Sequence, residues 1–178
     1  PEARAEAEAF RSANAALSAN PTKPGEVPPM VSTMVRHPNL WRQHTAMAKE
    51  FFNGSISARD RELVVLTVAW LCQAPVEWGE HVSIGKRAGL SDEEIQRVKI
   101  GSSAADWNEH DRALIKAVEE LQSDAMITDE TWAILAKNYN DKQLIELPML
   151  IGQYMTVAFY QNSLRLPPRP GNRGLDTQ

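Results

Sequence analysis

The sequence predicts an all-α fold, and three observations carry that expectation. Apolar residues recur with the 3.6-residue period of a helix, as in Leu114, Ile115, Val118 and Leu121. Segment starts carry capping residues, most completely in Ser91-Asp92-Glu93-Glu94, where a serine is followed three residues later by glutamate. Almost no stretch shows the two-residue alternation of a half-buried strand.

Prolines divide the chain. Seven of the eleven fall between Pro21 and Pro29 or between Pro167 and Pro170. Residues 1–29 read as an Ala-rich helix, Ala3 to Ser18, followed by a Pro-rich linker. Residues 30–166 read as the core domain. Residues 167–178 read as an extended arm.

Within the core, His37-Pro38-Asn39 opens a helix, because proline suits a first turn. That helix runs Leu40 to Phe52 and stops at Asn53-Gly54. Ser57 caps the next, which runs to about Gln73. Its segment Leu63 to Cys72 is interrupted only by Thr67 and is apolar on every face, so it should lie at the centre. Pro75 begins the following helix, which ends at Gly89. Further helices are expected from Ser91 through Ile100, over Glu109 to Gln122, from the Thr128 cap to Tyr139, and from Asp141 to about Tyr160. Pro148 is expected to bend the last of these.

Composition narrows the function. The 178 residues are 43% hydrophobic and 24% charged, ordinary for one globular domain. The formal net charge is −4 and no segment is densely basic, so a nucleic-acid partner is not expected. No apolar run approaches the roughly 18 residues of a spanning helix, so no membrane partner is expected and the default is a cytoplasmic protein. The single cysteine, Cys72, excludes a disulfide scaffold.

Pro75-Val-Glu-Trp-Gly-Glu-His81 is the stretch most suited to chemistry. Glu77 and His81 are four apart and share a helix face. A carboxylate beside an imidazole fixes its tautomer and raises its proton affinity, as a general acid–base pair requires. The spacing alone is common on helix surfaces. Glu62 borders the all-apolar run, so its carboxylate is either at an exposed helix start or paired inside. If the Pro75 helix folds back antiparallel, Glu62 and His81 differ by roughly 7 Å along the axes, and contact needs a tilted crossing. Gly79, Gly85 and Ala88 leave room for close approach of another element.

HPNLW, GSISARDRELVVLTVAWL and PVEWGEHVSIGKRAGLSDEEI, with Gly152-Gln153-Tyr154 later, resemble the carboxymuconolactone decarboxylase family of the alkylhydroperoxidase D-like superfamily. The resemblance covers roughly Val27 to Leu166. It implies an all-α, alkylhydroperoxidase D-like domain with an antiparallel central helix pair, assembled as a homo-oligomer, usually a trimer or hexamer. Peroxidase members use a Glu–Cys–Cys–His relay. On this chain Glu62 and His81 take the outer positions, while Ala74 and Glu77 stand where the cysteines would be. Cys72 matches neither position, so a thiol–disulfide cycle is not expected. Glu77 with His81 matches the decarboxylase-like branch instead.

The expected catalytic residues are therefore Glu62, Glu77 and His81. Trp78, Tyr154 and His44 are the expected substrate-binding residues. His110 and the Lys86-Arg87 pair read as solvated, and Cys72 as an inert buried thiol. Two carboxylates and one imidazole could bind metal, but no His-x-x-x-His pair or cysteine cluster supports it, so neither metal nor cofactor is expected. The implied function is cofactor-independent acid–base chemistry, of decarboxylase or lyase type, on a small carbonyl, lactone or carboxylic acid metabolite. A non-catalytic oligomeric scaffold and a redox protein using Cys72 are the alternatives.

Overall fold

The computed structural model describes residues 27–178. The Ala-rich segment Ala3 to Ser18 lies outside the described residues. All regular structure among the described residues is helical, without strands. The helices are α1 (Pro29–Met34), α2 (Pro38–Phe52), α3 (Ala58–Leu71), α4 (Pro75–Arg87), α5 (Asp92–Val98), α6 (Glu109–Asp124), α7 (Asp129–Leu135) and α8 (Asp141–Ser163). A 3-10 turn, Gly174–Asp176, follows near the end of the chain.

Local chemistry sets most of the helix starts. Ser57 accepts from the Asp60 backbone N–H, and Ser91 with Glu94 closes a full capping box. The start of α8 is capped by Asn140 rather than Asp141, with Gln143 completing a second box. Pro38 and Pro75 occupy first-turn positions, where the missing N–H is no loss. Pro29 does the same for α1, a short helix at the boundary between the linker and the core stretch that the sequence reading did not assign. Two helices are shorter than the sequence suggests. α5 stops at Val98, and α7 stops at Leu135, where tight backbone bonds from Lys137 and Asn138 end it. The chain must turn there because the Tyr139 hydroxyl reaches Asp60, to which it donates at 2.8 Å.

α3 is the axis of the molecule. Arg61 through Ala69 are all buried, as a helix apolar on every face requires. α4 returns against it through the turn at Gln73, whose φ is +48°. Gly85 permits the close approach. A Cβ there would stand 3.2 Å from Leu66 Cδ1 and 3.7 Å from Glu62 Cβ. Glu62 is therefore level with Gly85, one turn beyond His81, and its long side chain spans the axial offset. α6 and α8 close the core around this pair, with Leu114, Ile115, Leu147, Leu150 and Ile151 fully buried.

The segment after Leu166, expected as an extended arm, is instead docked on α4. Asn172 donates to the Val76 carbonyl at 3.0 Å and occupies the niche left by Gly79, where any Cβ would overlap its amide. The Trp78 indole N–H donates to the Thr177 carbonyl at 3.1 Å. Lys99 lies over both Trp70 and Trp78 and approaches the Leu175 carbonyl at 3.5 Å.

One other expectation changes. His110 is not solvated: its Nε2 is 3.1 Å from Asp60 Oδ2, and its ring packs edge-on to Tyr139. Those contacts follow from the folding of α6 onto the start of α3, which sequence spacing does not show. Lys86 and Arg87 are exposed, and Lys86 is paired with Asp92 at 2.5 Å.

Candidate active site

α3 and α4 bring Glu62, Glu77 and His81 together. Their exposures are 0%, 5% and 7%. His81 Nδ1 is 2.6 Å from Glu62 Oε2, and His81 Nε2 is 3.1 Å from Glu77 Oε1. Each carboxylate is held from its far side as well. Arg61 Nε donates to Glu62 Oε1 at 3.0 Å, and Gln161 Nε2 donates to Glu77 Oε2 at 2.7 Å.

This arrangement favours a charged ring. A neutral imidazole has one acceptor nitrogen, which cannot face an ionised carboxylate favourably. Burial would push His81 down, but Glu62 and then Glu77 outweigh it and hold the ring up to about 10. Burial likewise opposes ionisation of Glu62, yet His81 and Arg61 hold that carboxyl below its usual range. The cluster is thus an imidazolium between two carboxylates, with a guanidinium behind. The carboxylates sit on opposite edges of the ring and do not converge with it on one point. Among the described residues no group of three or more His, Cys, Asp or Glu side chains is placed to hold a metal ion.

One edge of the cluster opens on a cavity of about 170 Å³. Glu77 and His81 line it, while Glu62 does not. Glu62 therefore stands behind the imidazole and acts on the cavity through it. Tyr154 lines the cavity too, edge-on to His81 with ring centroids 5.3 Å apart. Burial, then Glu77 and Glu62, keep its hydroxyl well above the ordinary phenol range. His44 is also a lining residue. It lies between Gln153 (3.0 Å) and Tyr160 (3.3 Å), and burial lowers its proton affinity.

Trp78 departs from expectation and does not line the cavity. It is fully buried on another side of α4, 5.3 Å from Trp70 and bonded to Thr177. α4 is buried around most of its circumference, so a place beside Glu77 in sequence does not select the cavity side. Sequence reasoning also missed Arg61, Gln161, Tyr160 and Met30. Gln161 was the most accessible of these, as a polar residue one helical repeat after Tyr154 on the same apolar helix. Cys72 caps the end of α3, partly buried, and burial raises its thiol above the ordinary range.

The model of the carboxymuconolactone decarboxylase family matches residues 38–120, a stretch that contains Glu62, Glu77 and His81. Over these residues the chain matches this family. Solved structures extend the likeness in fold over most of this chain. An alkylhydroperoxidase AhpD core, a peroxidase-related protein from Ralstonia eutropha, aligns with TM-score 0.76 and 14% identity, covering 95% of this chain and 86% of that one. A putative antioxidant defence protein AhpD from Agrobacterium tumefaciens aligns at 0.71 and 17%, covering 76% and 94%. The debrominase Bmp8, solved as an alanine variant with 2,3,4-tribromopyrrole, aligns at 0.70 and 16%, covering 84% and 81%. No curated protein matches the chain. The family match stops before α8, so the cavity wall made by Tyr154, Tyr160 and Gln161 lies outside it.

Proposed function

We propose that the chain is a cofactor-independent enzyme that moves a proton to or from a carbon next to a carbonyl, of decarboxylase or lyase type. The observation that carries this reading is the buried imidazolium between two carboxylates, one of which faces a largely apolar cavity. In that setting Glu77 is the group that meets the ligand, His81 supplies or takes up its proton, and Glu62 positions the ring. For a β-keto acid, the bond to the carboxylate breaks, the electron pair moves onto the ketone oxygen, carbon dioxide leaves, and the proton shared by His81 and Glu77 goes to carbon. The cavity suits a ring-sized molecule, since about 150 Å³ holds benzene. Solvent-deuterium uptake and carbon dioxide release across a panel of ring-sized keto acids and lactones test the proposal. His81→Ala is expected to lower turnover on any active compound by about 10²–10⁴-fold. Turnover unaffected by that substitution removes His81 from the mechanism.

We also propose self-association through α8. Ile145, Met149 and Phe159 are exposed and fall on one helix face with Thr156 and Gly152, beside which a Cβ would meet nothing within 4 Å. Ile145 and Phe159 stand seven residues on either side of Gly152, so the stripe is self-complementary about that glycine. An antiparallel second copy fits it as a two-fold contact. Phe159→Glu is expected to lower the mass read by light scattering, and a single-chain mass for the unsubstituted protein sinks this proposal.

A further inference from the structure

The wall opposite His81 carries a second polar arrangement, contributed by α1, α2 and α8. His44 Nδ1 accepts from Gln153 Nε2 at 3.0 Å. With the Gln153 amide so oriented, the proton of this neutral ring sits on Nε2, which faces the Tyr160 oxygen at 3.3 Å. Tyr160 donates to Met30 Sδ at 3.4 Å. Gln161 has two amide protons. One goes to Glu77 Oε2, and the amide nitrogen approaches the same Met30 sulfur at 3.8 Å. Reversing this amide would set its oxygen against the Glu77 carboxylate, so its direction is fixed. Gln161 Oε1 is left buried without a partner.

Two donors thus converge on a thioether, a weak acceptor, although buried donors ordinarily find oxygen. Met30, Tyr160 and Gln161 all line the cavity. Met30 is also unbranched and turns easily, so it can yield its place. We propose that Tyr160 and Gln161 form the subsite for the ligand's carbonyl oxygen, with the Met30 thioether standing where that oxygen binds. This rests on the proton-transfer reading and deepens it. One amide would touch both the carboxylate that handles the proton and the oxygen that gains charge as the proton moves. Donors aimed at developing charge in a largely apolar cavity are a strong aid to such a step. Burial and Glu77 keep the Tyr160 hydroxyl protonated well beyond neutral pH, so it remains a donor. His44 and Gln153 act through Tyr160 as positioning residues.

The probe that tests this is 4-nitrophenol, a ring-sized molecule whose oxyanion is read by absorbance. At a pH near its own pKa, the unsubstituted protein is expected to bind it with a larger phenolate fraction than in free solution. Tyr160→Phe is expected to weaken phenolate binding by at least about tenfold, one donor to a charged acceptor being worth roughly 1.5–3 kcal/mol. Met30→Leu, which removes the sulfur at similar volume, is expected to bind the probe as well or better. Unchanged phenolate affinity in Tyr160→Phe overturns the subsite, as does loss of binding in Met30→Leu or no binding by the unsubstituted protein. The two readings separate cleanly. Deuterium exchange that depends on Glu77, with phenolate affinity indifferent to Tyr160, sinks the subsite alone. Phenolate binding that depends on Tyr160, with no exchange on any compound, sinks the proton-transfer reading alone.

Discussion

Glu62→Gln is expected to destabilise the protein by about 3–5 kcal/mol, the cost of breaking a buried ion pair from one side. The carboxylate is fully buried and accepts from both Arg61 and His81, so its loss leaves the buried Arg61 guanidinium beside a neutral amide and His81 with Glu77 as its remaining carboxylate. For a chain of this size that corresponds to a fall in Tm of roughly 6–20 °C. Denaturant midpoints at neutral pH measure it, and a midpoint equal to that of the unsubstituted protein defeats the account. The pH dependence follows from the direction of each shift. His81 holds its proton to about pH 10 in the folded chain, against 6.5 for the ordinary group. Its stabilisation is complete below 6.5 and is lost as pH rises to about 10, because the unfolded chain releases the proton first. Glu62 acts in the opposite sense. Its folded proton affinity is depressed, so its contribution is present above the ordinary 4.5 and fades as pH falls below it. Glu62→Gln should flatten both limbs.

Glu77→Gln is expected to abolish most proton transfer, by about 10²–10⁴-fold in kcat, while the fold survives. Glutamine keeps the size and can still bond Gln161, but it cannot take a proton at the cavity wall. The substitution also removes one of the two carboxylates that hold the His81 proton. The imidazole of this variant should therefore titrate below the value of about 10 in the unsubstituted protein, a change read by NMR of the ring. A residue with only a packing role would leave that titration in place.

The helices were legible in the sequence wherever a cap marked them. Ser57, Ser91 and Thr128 each begin the helix that the side-chain pattern implies. Ends were less visible. Tyr139, four residues after Leu135, continues the apolar pattern of α7, but its hydroxyl bonds across 79 residues to Asp60, and no local signal records that pull. The site divides in the same way. Glu77 and His81 are four apart on one helix, and Glu62 lies on the neighbouring one, so their meeting was within reach of spacing. Gln161 reaches Glu77 across 84 residues and Tyr160 reaches Met30 across 130. Such contacts depend on how α1 and α8 close over the central pair. Trp78 shows the reverse error: it adjoins Glu77 in sequence and serves the anchoring of the C-terminal segment.

The pairing around His81 also bears on how a ligand arrives. Two carboxylates, one imidazolium and one guanidinium sum to zero, and at the cavity wall Arg169 lies 3.8 Å from Glu80. The fields of these groups cancel within a few ångströms, well inside a Debye length of about 8 Å at physiological ionic strength. These groups therefore add little net field of their own at the cavity mouth. On the proposed function, any long-range steering of a charged molecule comes from the chain's overall charge of −4, and the site itself discriminates only at contact.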